Sequence, residues 1–191
     1  MTKLRYLSVI IFTLLIYSCN SDKQQISQAT KDAAIRYAQG SQKVLAKGLM
    51  QAIESQGIVY AIGFCKDTAE ILTHSISNVL NIEISRVSDK NRNPNNAATQ
   101  EELSYILKVK AQLSKNEEIE PQYSITGDKV RAYIPITTKP LCLNCHGNPN
   151  HINAEVLDRI NDLYPNDKAM NYNDKEVRGI WVVELQNITS D

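Results

Sequence analysis

The chain has 191 residues, of which 42% are hydrophobic, and this is enough for one domain of common size with a substantial core. Lys and Arg together number 21, as do Asp and Glu. A surface so evenly balanced in charge gives no electrostatic basis for binding nucleic acid, and we expect no nucleic acid as partner.

Residues 1–18 have the features of a secretory signal peptide. Lys3 and Arg5 precede an apolar run over residues 7–16, which is well short of the roughly 20 residues that span a bilayer. We therefore expect this stretch to be cleaved rather than to remain as a membrane helix. Its removal leaves 19 basic groups against 21 acidic groups, a net charge of −2.

Cys19 follows a lipobox-like sequence, Ile16-Tyr17-Ser18. This pattern predicts an exported lipoprotein whose acyl chains, attached to Cys19, hold it at a membrane surface on the periplasmic side. Residues 19–26 then form a polar, lipidated tether, and residues 27–191 form the folded domain. The alternative is an ordinary signal peptide, with Cys19 discarded or left free.

Two amphipathic helices are predicted at the start of the domain. Between Ser27 and Ser55, small and apolar residues recur every three or four positions, and Gly57 ends this helix. Seven further positions, spaced alternately by four and three residues, lie on one stripe of a second helix: Ile58, Ile62, Cys65, Ala69, Leu72, Ile76 and Val79. Cys65 falls in the middle of this stripe.

The strands are predicted in the second half of the chain, after a short one over Ile82–Val87. Gln122–Thr126 and Val130–Thr137 alternate as strands do, and Gly127-Asp128 between them suits a tight hairpin turn. The run Gly179–Leu185 is almost wholly apolar, which predicts a strand that is buried on both faces.

Further helices are predicted between these strands. A polar loop over residues 88–96 leads to Thr99 and Glu102, which have the spacing of a capping box at a helix start. Ala154–Leu163 predicts a shorter helix. Long helices followed by an antiparallel sheet indicate an α+β layered domain.

The segment Cys142-Leu143-Asn144-Cys145-His146 carries the main functional signal. Two thiols separated by two residues, with His directly after the second, match c-type haem attachment, in which both thiols form thioethers and the imidazole binds iron. We predict one covalent haem c here, and we expect Gly147 to let the backbone pass close to the macrocycle. A zinc site and a redox dithiol are the alternatives, although zinc would more often use a second Cys pair and a dithiol needs no His146.

A six-coordinate iron needs a second axial ligand, and the residues that could supply it are Cys65, Met50, Met170, His74 and His151. Each of them also has an ordinary structural explanation. From its spacing alone, Cys65 is more simply a small core residue than a ligand, because free Cys is commonly buried.

Several stretches of the chain together resemble a family of single-haem c-type proteins with a PAS-like fold, long catalogued as a domain of unknown function. The stretches are Ala61–Cys65, Arg86–Ala97, Cys142–Gly147, Tyr164–Ala169 and Arg178-Gly179. Each is modest alone, but their order and spacing make the resemblance specific, and together they cover most of the exported domain.

The resemblance implies a PAS-like antiparallel sheet packed with the two long N-terminal helices. It also implies that Cys65 is the distal axial ligand opposite His146, which reverses the preference drawn from spacing. Asn171 and Lys175 depart from the family pattern, because each stands where Gly is usual. Asn tolerates a left-handed backbone and Lys does so poorly, which leaves the second turn of this loop open.

Arg86 and Arg92 are candidates for contact with the haem. Arg offers a bidentate match to a carboxylate, so our hypothesis is that one of them pairs with a haem propionate. The alternative is that residues 92–95 form a surface turn held by Asx hydrogen bonds.

An iron bound by His146 and the Cys65 thiolate should have a low reduction potential, because the anionic ligand stabilises ferric iron. Our leading hypothesis is a sensor of redox state or of a small diatomic ligand, in which loss of the Cys65 bond shifts its helix. The alternatives are a membrane-tethered electron carrier and a zinc-stabilised interaction domain. We expect no enzyme, since no nucleophile with a base, paired carboxylates or phosphate loop is evident. A signal or electron would pass to an unidentified redox or signalling protein.

Overall fold

The computed structural model describes residues 25–188. The predicted signal peptide and Cys19 lie outside the described residues. Within residues 25–188, no helix is both long enough and apolar enough to cross a membrane.

A four-stranded antiparallel sheet, in the order β1-β4-β3-β2, forms the centre of the fold. Its strands are β1 (Glu83–Val87), β2 (Gln122–Thr126), β3 (Lys129–Thr137) and β4 (Val177–Gln186). The β2–β3 hairpin turns at Gly127-Asp128, with Gly127 at a φ of 65°, as the dipeptide predicted. β4 pairs with both β1 and β3 and is buried along most of its length, as expected of a strand covered on both faces.

Helices cover both faces of this sheet. They are α1 (Gln28–Asp67), α2 (Ala69–Leu80), α3 (Gln100–Ser114), α4 (Leu143–His146) and α5 (Ala154–Leu163). α1 buries Ala34 and α2 buries Ala69 in the same cluster as Trp181 on one face, while α3 places Ile106 against Ile180 on the other. The α+β class with a PAS-like antiparallel sheet is therefore confirmed, and α3 begins with the predicted capping box.

α1 reverses direction at Gly57, which has φ 84° and ψ 169°. A Cβ placed on Gly48 would lie 2.7 Å from Cζ of Phe64. In a straight helix these two residues would be about 24 Å apart, so the segments on either side of Gly57 must lie side by side. Only Gly adopts this backbone conformation without strain, so the predicted helix end at Gly57 is confirmed. We call residues 58–67 the second arm of α1.

The predicted second helix is not continuous, which corrects our expectation of one stripe. The helix is interrupted at Thr68, whose φ of −110° and ψ of −34° stay in the right-handed helical region. Residues before this interruption pack against α5 and residues after it pack on the sheet, so five of the seven positions are divided between two cores. Val79 is 85% exposed, and Cys65 is also exposed. The regular spacing correctly indicated helical segments. Spacing alone does not show against which neighbouring element each segment packs.

Replacing Gly40 and Gly48 with Ala should have opposite effects on stability. Gly40 lies inside α1 with open space where a Cβ would project, so Gly40→Ala should stabilise the fold by about 0.5–1 kcal/mol. Gly48→Ala should destabilise it by about 1–3 kcal/mol, because the new methyl group displaces the Phe64 ring. Urea unfolding of both variants beside the parent protein measures the difference. Equal stabilisation by both would contradict close packing of the second arm.

Candidate functional site

The two cysteines of the attachment motif lie on one continuous helical turn. Residues 140–142 form a 3-10 turn that leads directly into α4, and the amide of Cys142 donates to the carbonyl of Lys139 at 2.8 Å. Residues three positions apart share a face of such a turn, so Cys142 and Cys145 point to the same side. Both are free thiols and half-buried.

The imidazole of His146 is held in one orientation and one tautomer. Its Nδ1 lies 2.8 Å from the carbonyl oxygen of Ala169. Because a carbonyl can only accept, Nδ1 carries the proton and the lone pair of Nε2 is available to a metal. The ring of Tyr172 stands edge-on to the imidazole, at an interplanar angle of 90° and 6.4 Å between centroids.

The surroundings of His146 keep this imidazole neutral. Burial lowers its pKa well below the usual range, and the nearby guanidinium groups of Arg178 and Arg92 lower it further. A neutral imidazole with a free Nε2 is the form that ligates iron. The residues present therefore fit a proximal haem ligand.

Gly147 is required for the tight end of α4. A Cβ at this position would lie 2.6 Å from the carbonyl oxygen of Leu143. The amide of Gly147 also donates to that carbonyl at 3.0 Å, which closes α4. This local role is separate from the predicted close passage of the backbone along a macrocycle, which stays a prediction.

An apolar cluster brings Cys145 together with the second arm of α1 and with α5. The buried members are Ile62, Ile152, Val156, Ile160 and Tyr164, and Cys145 packs against them with Ile58 and Val59. Burial raises the pKa of the Cys145 thiol to about 11, and Cys65 is close enough for its charge to raise it as well. The second arm, which carries Cys65, therefore packs against the attachment segment.

Cys65 is exposed to solvent, and protein groups nevertheless surround it. Desolvation raises the pKa of its thiol, while the positive charges of Arg92 and Arg86 oppose that rise. A thiol that is both accessible and desolvated lies in an open cleft rather than on a convex surface. The expectation from spacing, a buried core Cys, is therefore wrong for Cys65.

Arg92 is buried beside the segment that carries Cys145 and His146, which we call the proximal side. Its Nη2 donates to the carbonyl of Cys145 at 2.6 Å and to Oδ2 of Asp167 at 2.9 Å. The two side chains are only 8% and 6% exposed. Asp167 in turn accepts the amide of Ala169 at 2.8 Å, and Ala169 is the residue that orients His146. Arg92 itself thus pairs with buried protein groups, whereas the residues after it form the predicted surface turn, in which Oδ1 of Asn93 accepts the amide of Asn95.

Arg86 lies on β1 opposite Trp181 of β4, with its guanidinium 5.5 Å from the centre of the indole ring. Burial lowers its pKa, and the charge of Cys65 opposes that change. Among residues 25–188 its guanidinium makes no hydrogen bond or ion pair. Of the two predicted propionate partners, Arg86 is therefore the one whose donors are free of protein acceptors.

The other residues considered as distal ligands have ordinary surroundings. His74 is 73% exposed on α2, with Nε2 at 3.8 Å from Glu70. Met170 packs against the apolar cluster, and its sulfur lies 3.7 Å from Nη2 of Arg92. Within the described part of the chain, no three His, Cys, Asp or Glu side chains are grouped as a metal site would need. The zinc alternative depends on such a group, whereas haem iron needs only two protein ligands.

The loop after Ala169 fastens the end of α4. The amides of Asn171 and Tyr172 each donate at 2.9 Å, to the carbonyls of Gly147 and His146 respectively. Asn171 and Lys175 have left-handed backbones, with φ of 61° and 64°. The two departures from the family pattern therefore fall where glycine would be unstrained, and Lys175 adopts this conformation despite its side chain.

Sequence reasoning did not identify Asp167 or Ala169 as part of the site. Asp167 lies within a stretch that supported the resemblance, so its presence was a signal, but its pairing with Arg92 spans 75 positions. Ala169 acts through its backbone carbonyl, and an Ala in a sequence gives no sign of such a role.

Comparison with known proteins places these features in a family. Residues 17–185 match the family described as Tll0287-like. Among solved structures, the crystal structure of the cyanobacterial heme-protein Tll0287 matches with a TM-score of 0.62 and 18% sequence identity. The match covers 86% of this chain and 99% of that one. At this identity the likeness concerns the fold, and no curated protein sequence matches the chain.

Removing the charge of Arg92 should strongly destabilise the fold. Arg92→Met leaves the carboxylate of Asp167 buried without its cationic partner, for which we expect a cost of about 3–5 kcal/mol in denaturant unfolding. Adding Asp167→Asn should recover part of this loss. As a matched control, Arg159→Met breaks the exposed pair with Asp162 and should cost less than about 1 kcal/mol. Similar costs for both single variants would refute a structural role for the buried pair.

Proposed function

This chain belongs to the Tll0287-like family, and on that premise we propose that it is an exported lipoprotein that binds one covalent haem c. Cys142 and Cys145 would form the thioethers, His146 would be the proximal ligand, and Cys65 the distal ligand. A solved structure that shares this fold is described as that of a heme-protein. Lipidation of Cys19 would hold the protein at a membrane.

The observation that carries this proposal is the state of His146. Its Nδ1 proton is engaged by a backbone carbonyl, and the ring is neutral, so Nε2 is the free ligating atom. Two free thiols lie on the adjoining turn, and Cys65 is carried by the second arm, whose residues pack against Cys145. This donor set suits a haem that is bound covalently at one face and ligated by sulfur at the other.

The haem would supply one-electron redox chemistry and an iron site for a small diatomic ligand. The protein would supply two sides of unequal rigidity. Backbone and side-chain bonds from Arg92, Asp167 and Ala169 fix His146. Cys65 lies near the end of a ten-residue arm, which follows the non-helical Gly57 and precedes the interruption of the helix at Thr68.

Because the His146 side is more rigid than the Cys65 side, we propose that the protein is a sensor of redox state or of a diatomic ligand. Release of the iron by Cys65 would free the second arm, between Gly57 and Thr68, to change its position, while His146 stays in place. The arm packs on α5 and continues into α2, so its movement would alter a surface that an unidentified signalling protein can recognise. An electron carrier would instead keep Cys65 bound in both oxidation states.

Protein matured in a haem-attaching host should carry the mass of one porphyrin on the segment 142–146. Cys142→Ser and Cys145→Ser should each remove one thioether, and the double variant should lose covalent haem altogether, because no other thiol pair is adjacent. Intact mass and peptide mapping measure both the haem and any acyl chains on Cys19. Absence of added porphyrin mass from the parent protein would refute the proposed function.

Cys65→Ser should abolish the sulfur-ligand signature in the optical and electron-spin spectra of the oxidised protein, while covalent haem is retained. For a sensor, reduction of the parent protein should open the iron to carbon monoxide or nitric oxide and should increase amide exchange over residues 58–67. In Cys65→Ser, Cys142 and Cys145 remain intact, so retention of covalent haem is the internal control for attachment. Fast reduction with the sulfur ligand retained and exchange unchanged would identify an electron carrier instead.

A further inference from the structure

The loop over residues 88–97 contacts both segments that carry the proposed iron ligands. On one side Arg92 donates to the carbonyl of Cys145, the residue before His146. On the other side Nδ2 of Asn93, the next residue, donates to Oε2 of Glu70 at 2.8 Å. Two consecutive side chains therefore bind the proximal segment and the start of α2.

Glu70 is bound through both of its carboxylate oxygens. Nδ2 of Asn95 donates to Oε1 at 3.3 Å, in addition to the bond from Asn93 to Oε2. A carboxylate only accepts hydrogen bonds, so the two amides must both present their NH₂ groups. Glu70 lies in the first turn of α2, five positions after Cys65 and directly beyond the interruption at Thr68.

Hydrogen bonds within the loop over residues 88–97 hold it rigidly enough to transmit a displacement of Glu70. Oδ1 of Asn93 accepts the amide of Asn95 at 3.0 Å, and the carbonyl of Asn93 accepts the amide of Asn96 at 3.0 Å. At the base of the loop, the backbone of Ser88 bonds to both Asn96 and Ala98. These local bonds fix the loop as a unit between α2 and α4.

We propose that Glu70 is a positioning residue that sets the separation between Cys65 and His146. The second arm follows the non-helical Gly57 at one end, while at its other end the amide of Leu72 donates to the carbonyl of Thr68 at 2.9 Å and joins the arm to α2. The position of Cys65 therefore follows that of the first turn of α2. The bonds from Asn93 and Asn95 fix this turn, and Arg92 connects the same loop to the segment that carries His146. This role rests on the proposed function, in which Cys65 and His146 are the axial ligands.

The test uses the full-length haem-loaded protein with Glu70→Gln. Glutamine retains one acceptor oxygen but turns an NH₂ group toward the other Asn amide, so one hydrogen bond to a charged group is replaced by opposed donors. We expect cyanide to replace the sulfur ligand of the ferric protein about tenfold faster, with amide exchange raised over residues 58–67. Asn95→Ala, which removes only the longer bond, should give a smaller increase.

Asp67→Asn is the matched control, since it removes one negative charge from an exposed residue of the second arm that makes no side-chain hydrogen bond within residues 25–188. It should leave the cyanide rate unchanged within about twofold. If Glu70→Gln matches this control while the parent shows a sulfur ligand, the positioning role is refuted and the proposed function stands. If the parent itself shows no sulfur ligand, the ligation and the positioning role are both refuted. Unfolding midpoints within a few degrees of the parent confirm that the variants are folded.

Discussion

The buried ion pair between Arg92 and Asp167 is the interaction on which the site depends. Burying two charges is costly, and the pair is tolerated because each partner makes further hydrogen bonds. The guanidinium also binds the carbonyl of Cys145, and the carboxylate also binds the amide of Ala169. The carbonyl of Ala169 then holds Nδ1 of His146. One charge pair thus joins three distant parts of the sequence and determines the orientation of the imidazole.

The two sides of the site are fixed by different kinds of interaction. On the proximal side, directional hydrogen bonds set His146 and both ends of α4, so small displacements would break several bonds at once. On the Cys65 side, the second arm packs against α5 through apolar contacts of Ile58 and Ile62. Apolar contacts can slide at little cost, whereas a hydrogen-bonded carbonyl cannot. In the proposed haem-bound protein, a change at the iron would therefore displace Cys65 more readily than His146.

The sequence was sufficient for elements whose signal is local. The capping box at Thr99, the turn at Gly127-Asp128 and the helix end at Gly57 each depend on backbone requirements of a few residues, and all three were predicted correctly. The stripe from Ile58 to Val79 was misread, because periodicity reports helical segments and not the surface against which each packs. The partner of Arg92 was also missed. Its guanidinium could match any carboxylate, and Asp167 becomes its neighbour only once the chain has folded.

The left-handed residues after Ala169 show how the chain accommodates local strain to fix the proximal side. Asn171 and Lys175 bracket the segment that donates backbone bonds to the carbonyls of Gly147 and His146. A left-handed lysine costs on the order of 1 kcal/mol, which the fold must offset elsewhere. Thr138 supplies that offset, because its hydroxyl bonds to the carbonyl of Asn173 and its own carbonyl accepts the amide of Lys175 at 3.1 Å. The strain is therefore confined to a turn that is bonded to Thr138, directly after β3, and none of residues 142–147, which carry His146, has a positive φ.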